Sequence, residues 1–211
     1  MKLLLIRHGE SEGNVKRQWQ GLLDVPLTER GREQALRLAE RVWRWSAAQE
    51  EPLAAVYSST LARAHWTAEA LARRCGAPLV LDKRLCERDL GVLQGLTWPE
   101  IDARYPDLAQ ILRQRKGVPT LPGGESSFEV TQRVWQAIEE ITDGHASEAN
   151  VAVVSHGGSL NAYFNRLTGR GDDVPFIFRL GNTSLSMIEI QDGRTHITLV
   201  NSLCHLEQPA V

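Results

Sequence analysis

Two short, unbroken apolar runs constrain this chain more than any other feature: "KLLLI" (Lys2 to Ile6) and "NVAVVS" (Asn150 to Ser155). A strand with one wet face alternates apolar and polar residues, so a run that is apolar throughout must be covered on both faces. Helices on either side of a parallel sheet provide that cover. "LAAVYSS" (Leu53 to Ser59) and "PLVLD" (Pro78 to Asp82) read the same way. Between these runs lie helical patterns from Thr28 to about Ala48 and from Leu61 to about Cys75, the second closed by Gly76 and Pro78. A third is expected from Ser126 to Thr142, with Phe128, Val134, Trp135, Ile138 and Ile141 as its apolar face. The order predicts an α/β fold, a three-layer α/β/α sandwich around a mostly parallel sheet.

Residues 84–125 break the alternation with Gly91, Gly95, Pro99, Pro106, Pro119, Pro122 and Gly123-Gly124. They read as an insertion forming a lid over the carboxyl edge of the strands. Near the end, "TSLSMIEIQDGRTHITLV" alternates around Asp192-Gly193, a strong hairpin signal. With 211 residues, 42% of them hydrophobic, the chain can bury roughly 70% of its unfolded surface. No linker or repeat divides it, so residues 1–211 are expected to form a single domain.

A net charge of −2 from 24 basic and 26 acidic residues gives no overall field for nucleic acid or an anionic membrane. Neither is expected as a partner. The "LLLI" run is too short for a membrane span or a signal-peptide core. Cys75, Cys86 and Cys204 are odd in number and widely spaced, which fits reduced thiols and a cytoplasmic setting.

In a parallel sheet, ligands bind beyond the carboxyl ends of the strands. Arg7 and His8 close the first run, His156 with Gly157 and Gly158 closes "NVAVVS", and Arg63 lies in the first helical turn after "AAVYSS". Singly, each has a structural explanation. Together, beside a helix N-terminus with free N–H groups, two arginines and two histidines suit a compact anion such as phosphate. The same cations should keep an imidazole neutral, and a neutral imidazole can attack phosphorus.

A rival reading starts from Gly9-Glu10-Ser11-Glu12-Gly13, which fits the G-x-S-x-G elbow of serine hydrolases. Asp143 and His156 could complete a triad. However, the only His-Gly-Gly stretch follows Ser11 by far, and "NVKRQWQG" does not look like the start of a buried helix. Ser11 then reads as a turn hydroxyl capping local backbone. There is no phosphate-binding G-x-x-x-x-G-K-[ST], no G-x-G-x-x-G and no H-E-x-x-H, so neither a metal nor a cofactor is expected. Phosphoryl transfer from an alcohol also needs a proton donor. Glu87 in "RLCERDLGVLQG" is a candidate, and by residue type Asp89 and Glu125 compete with it.

Six ordered stretches resemble the histidine phosphatase superfamily, in its phosphoglycerate-mutase-like branch. They are "RHGES" with Asn14, "PLTERGREQA", "YSSTLARAHWTA", "ERDLGVLQG", "PGGES" and "VSHGG". The resemblance implies that His8 is the nucleophile and passes through a phosphohistidine. It further implies that Arg7, Asn14, Arg63 and His156 hold the phosphoryl oxygens, and that Glu87 is general acid and then base. Gln20, Gly21 and Gly157 join the expected phosphate-binding set, and His205 in "NSLCHL" is a candidate substrate contact similar to one in metal-independent phosphoserine phosphatases.

Within the branch, Leu90 stands where mutases carry a tyrosine. The nearest basic patch to the mutase clamp is "RQRKG" (Arg113 to Gly117). Without clamps, water should reach the phosphohistidine, so hydrolysis of a small phosphorylated metabolite is expected ahead of mutase chemistry. A serine esterase and a silent phosphate-binding protein are the remoter alternatives. A homodimer is the assembly considered, with tryptophans such as Trp19, Trp98 and Trp135 as interface anchors.

Overall fold

The computed structural model describes residues 1–114 and 119–207, so the basic patch at Arg113 to Gly117 lies outside the described residues from Arg115 onward. Strands β1 (Lys2–Arg7), β2 (Leu53–Ser58), β3 (Leu79–Leu81), β4 (Asn150–Ser155), β5 (Leu185–Gln191) and β6 (Arg194–Ser202) form a sheet in the order β3-β2-β4-β1-β5-β6. The first four in that order are parallel, β5 runs antiparallel to β1, and β6 antiparallel to β5. The mostly parallel sheet is as expected. The hairpin turns on Asp192 (φ 51°) and Gly193 (φ 70°), the left-handed pair that a two-residue turn between twisted strands requires.

The described helices are α1 (Glu12–Val15), α2 (Glu29–Gln49), α3 (Ala62–Cys75), α4 (Trp98–Arg104), α5 (Pro106–Gln114), α6 (Ser127–Asp143), α7 (Gly157–Leu167) and α8 (Cys204–Glu207). Strand pleating sends alternate residues to opposite layers. Leu3, Leu5, Val151 and Val153 pack with α6 and α7, and Leu4, Ile6, Ala152 and Val154 pack with α2 and α3. Each buried leucine, isoleucine or valine among them stabilises the fold by roughly 1.5–3 kcal/mol.

Helix starts follow capping chemistry. Thr28 Oγ1 accepts the Gly31 N–H at 2.9 Å, and Ser126 with Glu129 forms a capping box on α6.

Two expectations need correction. The apolar face of α6 is Val130, Val134, Ala137, Ile138 and Ile141, whereas Phe128 is 56% exposed. At 100° per residue, Phe128 falls about 120° away from Val134 around the helix. Trp135 is only partly buried, against the rim of that layer. Likewise β3 is not covered on both faces, because it is the sheet's edge and leaves Val80 and Leu81 exposed.

Segment 84–125 builds a small core of its own from Leu93, Leu96, Ile101, Ala109 and Leu121, with Trp19 packed on it. It is tied to the loop after β1 by Trp19 N–H to Leu96 O at 2.9 Å, Gly95 N–H to Trp19 O at 2.7 Å and Leu22 N–H to Gln94 Oε1 at 2.6 Å. The expected insertion is therefore braced against the loop that follows the first strand. Trp19 stands edge-on to Trp98 and Trp135 stacks on Tyr163, so these three side chains already make contacts within the chain.

The glycines at the start of α2 have a steric role. A Cβ on Gly31 would stand 1.9 Å from the Glu10 carbonyl oxygen, and one on Gly9 would stand 2.5 Å from the Gly31 carbonyl oxygen. Gly9 is thus required for the close packing of α2 against the loop after β1. Elsewhere in a helix, Gly→Ala stabilises by roughly 0.5–1 kcal/mol. Gly31→Ala is expected to reverse that sign and destabilise by about 3 kcal/mol, the cost of an overpacked backbone contact. Urea unfolding checks this, and an increase in stability would refute the packing account.

Candidate active site

Register brings the chemistry together. Arg7 pairs with Ser155 and Ser58 with Val154, so the three central parallel strands end at one level. The His8 N–H bonds to Ser155 O at 3.0 Å and the Ser59 N–H to Val154 O at 3.1 Å. His8, His156 and Ser59 therefore leave the sheet side by side. The two imidazole centroids lie 5.1 Å apart.

His8 is 3% exposed, and its Nδ1 lies 2.7 Å from Gly9 O. A carbonyl can only accept, so the ring proton sits on Nδ1 and Nε2 carries a free lone pair. Burial, with the charges of Arg7 and Arg63, holds the His8 pKa well below the ordinary value for imidazole. The ring is neutral at pH 7.

Around it stand buried donors without partners. Arg7 gives Nη1 to Leu180 O at 2.5 Å, and Arg63 gives Nη1 and Nη2 to Leu23 O and Gly21 O at 2.7 and 2.8 Å. Both Nε atoms are buried and unbonded, as is His156 Nδ1. Each such group costs about 1–3 kcal/mol in lost solvation. An acceptor-rich anion would cancel all three deficits. Burial works against both guanidinium charges, and the nearby Glu87 carboxylate partly offsets it.

Asn14 completes this wall. Its Oδ1 accepts from Ser11 N–H at 3.0 Å, Ser11 Oγ at 2.9 Å and Asn182 Nδ2 at 3.1 Å. With the oxygen so occupied, the amide orientation is fixed and the NH₂ group is left to donate. Ser11 is fully buried and caps α1 by accepting the Asn14 N–H, which makes it a local cap and leaves no base beside it. That removes the elbow geometry.

Glu87 caps α7. Its Oε1 accepts from Arg88 N–H at 2.9 Å, Ser159 N–H at 3.1 Å and Ser159 Oγ at 3.3 Å, while Oε2 accepts only the Gly158 N–H, at 3.0 Å. The N–H groups of positions 158 and 159, at the N-terminus of α7, are thus taken by Glu87. A Cβ on Gly158 would stand 2.5 Å from Glu87 Oε1, so glycine makes room for the carboxylate. A Cβ on Gly157 would stand 3.6 Å from Arg7 Nε, over one of the unpartnered donors.

The competing acids are occupied elsewhere. Glu125 is held bidentately by Arg133 at 2.7 and 2.8 Å, and Asp89 Oδ1 accepts the Gly91 N–H at 2.8 Å.

Other expected contacts take supporting places. The Gly21 carbonyl anchors Arg63, and Gln20 Oε1 lies 2.8 Å from Ser11 Oγ. His205 is 6% exposed and bonded to Thr183 Oγ1 at 2.9 Å, beneath a turn whose Thr183 N–H reaches His8 O. Burial, with Arg41 and Arg37 nearby, depresses its pKa to about 4. It braces the site from behind and is not placed as a direct substrate contact.

Sequence reasoning missed Arg133, which donates to Arg84 O at 2.8 Å, Cys86 O at 2.7 Å and Glu87 O at 3.0 Å and so fixes the segment carrying Glu87. It also missed Ser159, Asn182 and Ser59. Ser59 stands in the quoted "YSSTLARAHWTA" stretch, but nothing in the sequence says what it touches. Among the described residues, no group of three or more His, Cys, Asp or Glu side chains could hold a metal ion.

Comparison with known proteins gives a consistent outcome. A model of the histidine phosphatase superfamily (branch 1) matches residues 3–203. Phosphoserine phosphatase 1 of Hydrogenobacter thermophilus is 34% identical over 206 residues, covering 98% of this chain and 94% of that one. A probable phosphoglycerate mutase of Escherichia coli is 30% identical over 216 residues, covering 100% and 97%. Among solved structures, a mycobacterial glucosyl-3-phosphoglycerate phosphatase complexed with VO3 superposes with a TM-score of 0.81 at 31% identity, covering 95% of this chain and 98% of that one.

Proposed function

The chain belongs to the histidine phosphatase superfamily, branch 1, and from that premise we propose that it hydrolyses a small phosphorylated metabolite through a phosphohistidine on His8, without a metal. One observation carries the reading: two buried, unpartnered guanidinium donors, Arg7 Nε and Arg63 Nε, and the equally unpartnered ring nitrogen His156 Nδ1 surround a histidine whose Nε2 lone pair is free.

In the proposed reaction, the phosphoryl group docks on Arg7, Arg63, His156 and Asn14. His8 Nε2 attacks phosphorus, a P–N bond forms, and the P–O bond to the alcohol breaks. The donors hold charge where it spreads over the equatorial oxygens, so they bind the transition state more strongly than the ground state. Glu87 Oε2, which has one N–H partner where Oε1 has three donors, is the oxygen with room to carry a proton. It gives that proton to the leaving alcohol. As a carboxylate it then takes one from the water that attacks phospho-His8, which releases phosphate and the free imidazole.

Hydrolysis is favoured over mutase chemistry by Leu90, which packs on the apolar cluster of the insertion and presents no hydroxyl to a second phosphate. Residues 1–211 are proposed to work as one domain. The test is a panel of phosphorylated metabolites assayed with EDTA present, including phosphoserine and phosphoglycerates. Release of inorganic phosphate, blocked by vanadate, is expected. Interconversion of phosphoglycerates without phosphate release would favour the mutase reading, and silence on the whole panel would overturn both.

A further inference from the structure

His156 is fully buried, and its two ring nitrogens face different company. Nδ1 has no partner in the protein, whereas Nε2 lies 2.8 Å from Ser59 Oγ. For His156 to donate to a phosphoryl oxygen through Nδ1, the neutral ring must carry its proton there, and Nε2 must accept. Burial and the charges of Arg63 and Arg7 hold the ring neutral, so the tautomer decides between attraction and repulsion. A lone pair on Nδ1 would face the anion.

We propose that Ser59 is a positioning residue that fixes this tautomer: its hydroxyl donates to His156 Nε2 and thereby keeps the ring proton on Nδ1, aimed at the phosphoryl site. The surroundings of Ser59 Oγ leave its proton that role. The oxygen accepts the Leu61 N–H at 3.2 Å. Its other neighbour is Cys86 Sγ at 3.3 Å, which in turn lies 3.2 Å from Thr60 Oγ1. Sulfur is a weak acceptor and an imidazole nitrogen a strong one, so the hydroxyl proton goes to Nε2. The thiol proton is then left for either hydroxyl oxygen. In this arrangement the hydroxyl and thiol hydrogens of Ser59, Cys86 and Thr60 all find acceptors within the group, and the hydrogen left over is His156 Nδ1–H, free for a phosphoryl oxygen. Cys86 also directly precedes Glu87, so the same turn seats the acid and orients the second histidine.

This inference rests on the phosphatase reading, but its test does not. In protein labelled with ¹⁵N at histidine, long-range proton–nitrogen couplings distinguish the tautomers without any substrate, with His156→Gln assigning the signals. The Nδ1–H form is expected for His156 in the unmodified chain at pH 7, and the Nε2–H form or an imidazolium would overturn the proposal even if turnover is intact. Ser59→Ala should shift the ring toward Nε2–H, weaken vanadate binding about tenfold and lower kcat by about 10–100-fold, somewhat less than the loss of a full oxyanion donor. Ser59→Thr, which keeps the hydroxyl, should restore the tautomer and most of the activity. A Ser59→Ala chain with unchanged tautomer and unchanged kcat would also refute it. Failure of the metabolite panel together with an Nδ1–H signal would sink the phosphatase reading alone.

Discussion

His8→Ala is expected to fold and to turn over nothing, with a loss on the order of 10⁴-fold or more, as for removal of other enzymic nucleophiles. Folding should survive because the backbone bonds that seat position 8, His8 N–H to Ser155 O and Thr183 N–H to His8 O, do not involve the ring. Rapid quenching of the unmodified chain with radiolabelled substrate should trap a phosphoprotein that is stable in base and lost in acid. The alanine chain should trap none. Acid-labile label on His8→Ala, or full turnover by it, would move the nucleophile elsewhere. The pH dependence follows from the same environment. An exposed imidazole with a pKa of about 6.5 would be mostly protonated at pH 5.5, but burial and the two arginines hold His8 below that range. Activity should therefore show no loss from His8 protonation between pH 7 and 5.5. Stability behaves differently: with the folded pKa lowered, the unfolded chain binds more protons below about pH 6.5, so stability falls as pH drops from there.

The site was legible in the sequence where chemistry coincides with a strand end. "KLLLIRH" and "NVAVVSH" announce both the buried strands and the residues at their mouths, because an all-apolar run next to Arg-His leaves few other placements. What stayed hidden depends on neighbours distant in sequence. The "LVL" of β3 reads as buried, since three apolar residues carry no information about whether a further strand lies beyond them. Helix α7 was not foreseen because it opens on Gly157-Gly158, poor helix formers, and His156 gives no side-chain cap. The reason for Gly158 lies in Glu87, far earlier in the chain. Arg133 reads as one more charge on the surface of α6, and only the fold brings it to three carbonyls of the Glu87 segment. Gly9 is a further case: its sequence position beside His8 does not show that the chain needs it for the close approach of α2.

Glu87→Gln separates acid catalysis from phosphate binding. Glutamine keeps the shape and can still accept from α7, but whichever way it flips, its NH₂ meets at least one of the N–H groups of Arg88, Gly158 and Ser159. That mismatch should cost about 1 kcal/mol of stability, visible as a small drop in Tm. The kinetic loss should be far larger and depend on the leaving group. An alkyl alkoxide needs its proton in the transition state, so the rate on an alkyl phosphate such as phosphoserine should fall by about 10²–10⁴-fold. Nitrophenolate leaves without help, so the first step on p-nitrophenyl phosphate should be nearly unaffected. The second step still lacks the base that activates water. With p-nitrophenyl phosphate, Glu87→Gln should therefore give a rapid burst of one nitrophenol per active site, followed by slow turnover and a phosphohistidine that accumulates. Vanadate affinity should change little, because Arg7, Arg63 and His156 are untouched. Equal loss on both substrates with no burst would remove Glu87 from proton transfer and leave it as a helix cap. Glu125 and Asp89, both bonded elsewhere in the resting site, would then have to be released to serve.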